Sequence, residues 1–393
     1  MQQRLTEIRS LTGLRGVAAL YVLLFHYFPP STAASPGHPL TNVLHHGYLA
    51  VDLFFILSGF VMAMNYSHMF ASGWSKAAYR RFLGRRIARI YPLYLATVIA
   101  GFLLVIAGWL RYLHAAPLGV ALCLNLTMTQ VWGLVPSFDS PAWSISAEWA
   151  AYLLFPALLV PTMFRRASIG WLSALISAAT LAALSVQQAS LGHDFNLREP
   201  LNLSDPWCAL PVVRCVAEFT LGILAFRLAA TPFGRHLASS RWLAPAVCVA
   251  ALMLLAIPQS DLAVALLFPF LVISLASEAH VPGRLLAWAP AEFIGKLSFS
   301  IYLTHKLFYG LLNAIYLRAH AAGLPHAQSL AAIICISLTF PLAFAAYRTI
   351  EVPGRRWMRA LFESTAAASA IHSHPLRKPE TAPANALSAT ILD

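Results

Sequence analysis

Apolar residues run along this chain in blocks close to the roughly 20 residues that a helix needs to cross a bilayer. Ten such blocks cover 11–28, 47–66, 91–110, 143–163, 168–187, 209–229, 242–257, 261–278, 293–315 and 327–348. An eleventh, 117–134, is short and interrupted by Asn125, Thr127, Thr129 and Gln130. The polar stretches between blocks differ in charge. Segment 67–90 holds Lys76, Arg80, Arg81, Arg85, Arg86 and Arg89, whereas 29–46 has no Lys or Arg. Basic loops stay on the cytoplasmic side, so the first belongs inside and the second outside. If 117–134 crossed, Arg165 and Arg166 would fall outside and the stretch 135–142, which has no basic residue, inside, against that rule. A short non-spanning helix there restores agreement and places Arg227, Arg235, Arg241, Arg284, Arg355, Arg356 and Arg359 inside as well. The pattern predicts an all-α, polytopic transmembrane helical bundle of about ten spans with both termini cytoplasmic.

Composition strengthens this picture. The 393 residues are 59% hydrophobic and 11% charged, with a mean hydropathy of +0.67; soluble domains carry about a quarter charged residues. The excess of 27 Lys+Arg over 15 Asp+Glu reads as cytoplasmic loops rather than a nucleic-acid surface. The first apolar block contains Arg15 and no small-residue cleavage site follows it, so a retained span is expected rather than a signal peptide. Cys123, Cys208, Cys215, Cys248 and Cys335 show no metal-like spacing, and neither a disulfide nor a metal site is expected. Residues 1–358 form the membrane domain; 359–393, rich in Ala, Ser, Pro and His, read as a disordered cytoplasmic tail. The outer segment 188–208, with Asp194, Glu199 and Asp205, is a candidate for acceptor selectivity.

Charged groups inside the membrane are costly and usually functional. Arg15 and His26 are eleven residues apart, which returns them to nearly one helical face about 16 Å apart along the axis. Asp52 lies in the outer half of the second block, at a depth suited to orienting His26, and Gly59 two turns on permits close helix approach. Arg85, Arg86 and Arg89 precede the third block, where guanidinium groups suit bidentate phosphate binding; a polyphosphate such as coenzyme A fits, and lipid headgroups are the plainer alternative. Trp143, Ser144 and Glu148 open the 143–163 block: the indole suits the interface or a sugar face, and the carboxylate suits an Arg partner or an acceptor hydroxyl. Arg214 and Glu218, four apart, read as a structural pair. Ser298, Tyr302 and His305 form one polar stripe.

Taken in order, these motifs resemble acyltransferase family 3, the integral-membrane O-acyltransferases of glycans and related acceptors. The resemblance spans roughly residues 5–358. It rests on Arg-x10-His at Arg15 and His26, the Val-Asp-Leu-Phe-Phe-Ile-Leu-Ser-Gly-Phe stretch around Asp52, and Arg-x-x-Arg at Arg86 and Arg89. Trp-Ser-x-x-x-Glu at Trp143, Ser144 and Glu148, Ser-Ile-Tyr-Leu-x-His ending at His305, and Glu-x-Pro at Glu351 and Pro353 complete it. Many relatives have two adjacent Glu after the Trp-Ser; here Ala147 precedes Glu148, which leaves one carboxylate. A stand-alone form without a fused SGNH hydrolase domain is expected.

The resemblance implies an acyl transfer, most simply of acetyl, from cytoplasmic acyl-CoA to a hydroxyl of an extracytoplasmic acceptor, a polysaccharide or lipid-linked glycan, at a bacterial inner membrane. Arg15, Arg85, Arg86 and Arg89 would hold the donor. His26, Asp52 and Glu148 would be catalytic, and Trp143, Ser144, Tyr302 and His305 would line the acceptor side. His26 would act either as general base or as acyl carrier. No metal is called for. The rival is a secondary transporter built on the same buried charges, which lacks an internal repeat in its support.

Overall fold

The structure, a computed structural model, describes residues 7–28, 39–112, 116–190, 200–202 and 208–373. Among these the regular elements are all helical. The first half of the chain forms α1 (Arg9–Tyr27), α2 (Pro39–His45), α3 (Ala50–Tyr66), α4 (Lys76–Ile106), α5 (Leu118–Leu126), α6 (Ala142–Phe164) and α7 (Ala167–Ser190). The second half forms α8 (Leu210–Ala229), α9 (Pro232–Ser239), α10 (Leu243–Leu255), α11 (Asp261–Leu275), α12 (Val281–Leu286), α13 (Ala289–Thr304), α14 (Tyr309–Ala321), α15 (Ala327–Ala346) and α16 (Val352–Ser373).

Local chemistry sets several boundaries. Ser75 caps α4 by accepting from the Ala78 N–H, and Thr231 caps α9 by accepting from Gly234 N–H at 3.0 Å. Proline stands in the first turn of α8, α9, α12 and α13, where its missing N–H costs nothing. Five helical stretches are long and apolar enough to cross a bilayer, or six if the bent pair α9 and α10 counts as one span. The short run at 117–134 yields only the nine-residue α5. The 293–315 block is not one helix: α13 ends at Thr304, a tight 3-10 turn covers His305–Phe308, and α14 resumes. That interruption falls on the polar His305-Lys306 pair.

Backbone-to-backbone packing ties the bundle together at two glycine crossings. Gly59 of α3 lies on the Phe219 carbonyl and Gly222 of α8, and Gly222 in turn lies on Ile56, so a Cβ at either position would collide with backbone. Gly16 of α1 and Gly295 of α13 meet in the same manner. Small residues permit such approach where lipid supplies no hydrophobic drive between helices. These two crossings bring α1, α3, α8 and α13 around a common interior, with α4 and α6 closing the remaining side.

The carboxy-terminal helix α16 continues to Ser373. It is held to α4, where the Phe362 ring covers Gly84 and Gly354 covers Pro92. Residues 374–393 lie outside the described part, as do most of 188–208.

Candidate active site

The interior holds three cavities in series. At the end where α1 begins, a cavity of about 290 Å³ is lined by Arg15, Arg86, Arg89, Glu351, Arg355 and Arg359, among others. It shares Arg15, Val61, Met62, Arg86 and Arg89 with a central chamber of about 170 Å³, whose walls add Ser144, Glu148, Tyr152, Ser298 and Tyr302. The central chamber shares Val51 and Tyr302 with a third cavity of about 390 Å³, lined by His26, Trp143, Asn202, Arg214 and Lys306. A cluster of arginines thus occupies one end of the series and the His26 imidazole the other, beside Arg214 and Lys306, with Tyr302 lining both the central and the third cavity.

Helix spacing explains who faces inward. Arg86 and Arg89 are three apart and share a face of α4, whereas Arg85, set about 100° from Arg86, does not line the cavity. Of the three α4 arginines expected at the donor, Arg86 and Arg89 are the two that line this cavity. Arg86 is buried, donates to the Tyr66 hydroxyl at 2.6 Å and lies over that ring. Arg89 is paired with Glu351 at 2.5 Å, and Glu351 accepts from Ser300 at 2.7 Å with its other oxygen. Arg15 reaches Ser298 at 3.3 Å.

At the far end, His26 and His305 are neighbours. His305 Nδ1 lies 2.7 Å from the Tyr302 carbonyl, and its Nε2 lies 3.2 Å from His26 Nδ1. His26 Nδ1 also lies 2.9 Å from the Val22 carbonyl. A ring nitrogen facing a carbonyl must carry the proton, so His305 is protonated on Nδ1 and accepts on Nε2. His26 is then the Nδ1–H tautomer, donating to both neighbours, and its Nε2 keeps the lone pair. The backbone around the pair is tied down: the Tyr309 hydroxyl donates to the His26 carbonyl at 2.8 Å and the Tyr27 hydroxyl to the His305 carbonyl at 2.5 Å. Ser144 and Tyr302 hydroxyls meet at 2.8 Å between the central and third cavities.

Asp52 is not where the sequence suggested. It is fully buried against Arg214, whose Nε donates to Oδ1 at 2.9 Å while Nη2 bonds Oδ2. The same guanidinium reaches Glu218 at 3.3 Å and the Leu201 carbonyl at 2.7 Å. An arginine fork satisfies both carboxylate oxygens in a way that one imidazole nitrogen does not, so Asp52 belongs to α8 electrostatically and His305 takes the place beside His26. Glu148 lines the central chamber and Trp143 the third cavity, where it packs edge-on to Phe55 at 6.2 Å.

Several residues at the site had no separate signal. Lys306 lines the third cavity and donates to Ser140 at 3.2 Å. Asp139, in the turn before α6, is 1% exposed, and burial pushes its carboxyl up to about 8. Glu351 was visible only as part of the closing Glu-x-Pro, and its pairing with Arg89 depended on a contact 262 positions away. Among the described residues no cluster of three or more metal-ligating side chains occurs.

A helical membrane protein with a polar interior path and a buried imidazole pair is the class that the fold and site define. The particular family follows from comparison: the acyltransferase domain model matches residues 8–348, and the chain belongs to that family, acyltransferase family 3. It is an O-acyltransferase. It is 31% identical over 328 residues to the acyltransferase MdmB of Streptomyces mycarofaciens, covering 78% of this chain and 80% of that one. It is 25% identical to the putative peptidoglycan O-acetyltransferase YrhL of Bacillus subtilis, covering 76% of this chain and 48% of that protein. A putative membrane-bound transacylase of Komagataeibacter xylinus, BcsY, is 27% identical over 84% of this chain and 80% of its own length. No solved structure matches. Membership in this family removes the transporter alternative.

Proposed function

We propose that the protein transfers an acyl group, most simply acetyl, from acyl-CoA on the cytoplasmic side to a hydroxyl of an extracytoplasmic glycan or lipid-linked glycan at the inner membrane. In this reading ten segments cross the bilayer, both termini are cytoplasmic and the arginine-lined cavity opens inward. The observation that carries it is the succession of three adjoining cavities, which share lining residues from a phosphate-suited arginine cluster to a lone-pair imidazole.

The donor's phosphates rest on Arg86 and Arg89, its pantetheine arm passes Arg15 through the central chamber, and the thioester carbonyl reaches His26. The acceptor enters the third cavity, against Trp143. His26 Nε2 takes the hydroxyl proton as the oxygen attacks the thioester carbon, and the imidazolium is stabilised by His305 Nε2 accepting from Nδ1. The tetrahedral intermediate collapses by expelling the thiolate, which recovers the proton from Nε2, leaving ester and free CoA-SH. Tyr302 and Ser144, at the junction of the cavities, are placed to support the oxyanion. Asp52 acts through Arg214 by holding the wall of the third cavity.

The test is release of free thiol from acetyl-CoA by the purified protein in nanodiscs, with and without cell-envelope glycan fractions. A general base contributes about 10²–10⁴ in rate, so His26→Ala should lose at least that factor while still inserting and binding coenzyme A. Turnover equal to wild type in that variant would sink the mechanism, and wild-type protein that neither binds nor cleaves the thioester would sink the donor assignment.

A further inference from the structure

The arginine-lined cavity is wider than the two-arginine motif explains. Six cations line it, Arg15, Arg86, Arg89, Lys296, Arg355 and Arg359, against two carboxylates, Glu7 and Glu351. Two of the cations are already neutralised: Arg89 by Glu351 at 2.5 Å and Lys296 by Glu292 at 2.6 Å. Among the described residues Arg15, Arg86, Arg355 and Arg359 have no carboxylate within ion-pair distance. Burying unmatched like charge is unfavourable unless a counter-charge arrives. Two buried donors, Arg86 Nε and Arg359 Nε, have no hydrogen-bond partner, although Arg86 is less than a tenth exposed. A built polar wall with unspent donors is the signature of a site for an anion richer than one diphosphate.

Position within the cavity sorts the cations. Arg15, Arg86 and Arg89 also line the central chamber, so they stand at its mouth, whereas Arg355 and Arg359 line only the arginine-end cavity. Arg355 and Arg359 are four apart on α16 and share a face, and Arg356, between them, is exposed and does not line this cavity. The helix that carries them is locked to α4 at two points, Gly354 over Pro92 and Phe362 over Gly84. The pair is therefore set at fixed distance from Arg86 rather than on a mobile tail.

We infer that Arg355 and Arg359 of α16 form a second phosphate subsite in the donor cavity, one that takes the 3′-phosphate of the donor's nucleotide while Arg86 and Arg89 take the diphosphate. This rests on the acyl-CoA reading above and adds to it a discrimination between donors: a carrier that ends in a ribose 3′-phosphate is favoured over one that lacks it. The assignment follows from order along the molecule. The diphosphate is joined directly to the pantetheine arm and must stop at the chamber mouth, while the 3′-phosphate lies on the ribose beyond it, on the side where α16 stands.

The experiment is equilibrium binding of coenzyme A and of 3′-dephospho-coenzyme A to the full chain in nanodiscs of zwitterionic lipid only, which removes anionic headgroups as an alternative source of phosphate. Wild type is expected to bind coenzyme A about tenfold or more tightly than the dephospho compound, as charge-assisted bonds to a lost dianion predict. In Arg355→Gln/Arg359→Gln the preference should collapse towards unity by weakening coenzyme A alone, with dephospho-coenzyme A unchanged. Arg356→Gln should keep the wild-type preference. Equal wild-type affinity for the two ligands, or equal weakening of both in the double variant, overturns the subsite and leaves the donor assignment standing; failure of wild type to bind either ligand overturns both.

Discussion

Two groups of arginines sit in this bundle, and they are treated in opposite ways. Around Arg214, the cation meets carboxylates of its own chain: Asp52 takes the fork, one oxygen of Glu218 takes the flank and the Leu201 carbonyl takes Nη1, while the other Glu218 oxygen is left without a partner. Around Arg86, Arg355 and Arg359, the protein supplies a tyrosine hydroxyl for one and no carboxylate for any of the three among the described residues. The first cluster pairs its cation with carboxylates and holds α3, α8 and the residue Leu201 together. The second has no carboxylate partner for these three arginines among the described residues, which is what the proposed donor site rests on. Charge density alone does not separate a structural site from a binding site; satisfaction of that charge does.

The comparison breaks most visibly at Arg214. Removing one partner of a buried ion pair costs about 3–5 kcal/mol because it strands the other charge. Arg214→Gln should therefore leave Asp52 and Glu218 facing each other, lowering yield and thermal midpoint in nanodiscs before any assay of transfer is possible. Arg214→Gln combined with Asp52→Asn should recover part of that loss. A single variant as stable as wild type would show that Asp52 and Glu218 do not depend on Arg214 for their burial.

Arg86 is the matching case in the second cluster, and a smaller effect is expected there. Its loss removes one bond to Tyr66 and relieves repulsion from the other arginines, so Arg86→Gln should keep the fold. It should instead weaken the donor, since hydrogen bonds to charged groups are worth about 1.5–3 kcal/mol, or roughly a 10–100-fold rise in KM for acyl-CoA. Raised salt should mimic it in wild type. A fall in kcat at unchanged KM would place Arg86 at the chemistry and not at the phosphates.

How far the sequence showed this contrast depends on how local each signal is. Arg15 and His26 share one helix, so a spacing of eleven carried their common face; the Arg86-Arg89 pair and the Ser298-Tyr302-His305 stripe were readable for the same reason. The Gly59 crossing was legible because a glycine two turns from Asp52 has few other uses. Partners across helices were not legible. Asp52 was matched to His26 by depth, and depth does not say which side of the helix looks at α8. The His26–His305 contact joins residues 279 positions apart, and nothing in either segment specifies it. The seat of α16 was not legible either, since Gly84, which lies under the Phe362 ring, is carried by α4.

A third way of treating a buried charge appears at Asp139. Here the carboxyl is neither paired nor left for a ligand; burial raises it to about 8, so near neutral pH it stays protonated. An unfolded-state value near 3.9 means that the folded chain holds a proton that the unfolded chain has released. Stability from this group is then complete below about pH 4 and is lost as pH rises through about 8. Asp139→Asn places a neutral isostere at the same position and should leave transfer unchanged, with a thermal midpoint close to wild type at about pH 4 and a relative gain that grows as pH rises from there towards 8. Lys306, whose charge favours the ionised carboxylate, is the group that would reduce the gain. If Asp139→Asn is instead less stable at high pH, the carboxylate is ionised and paired, and this residue joins the first cluster rather than standing apart from both.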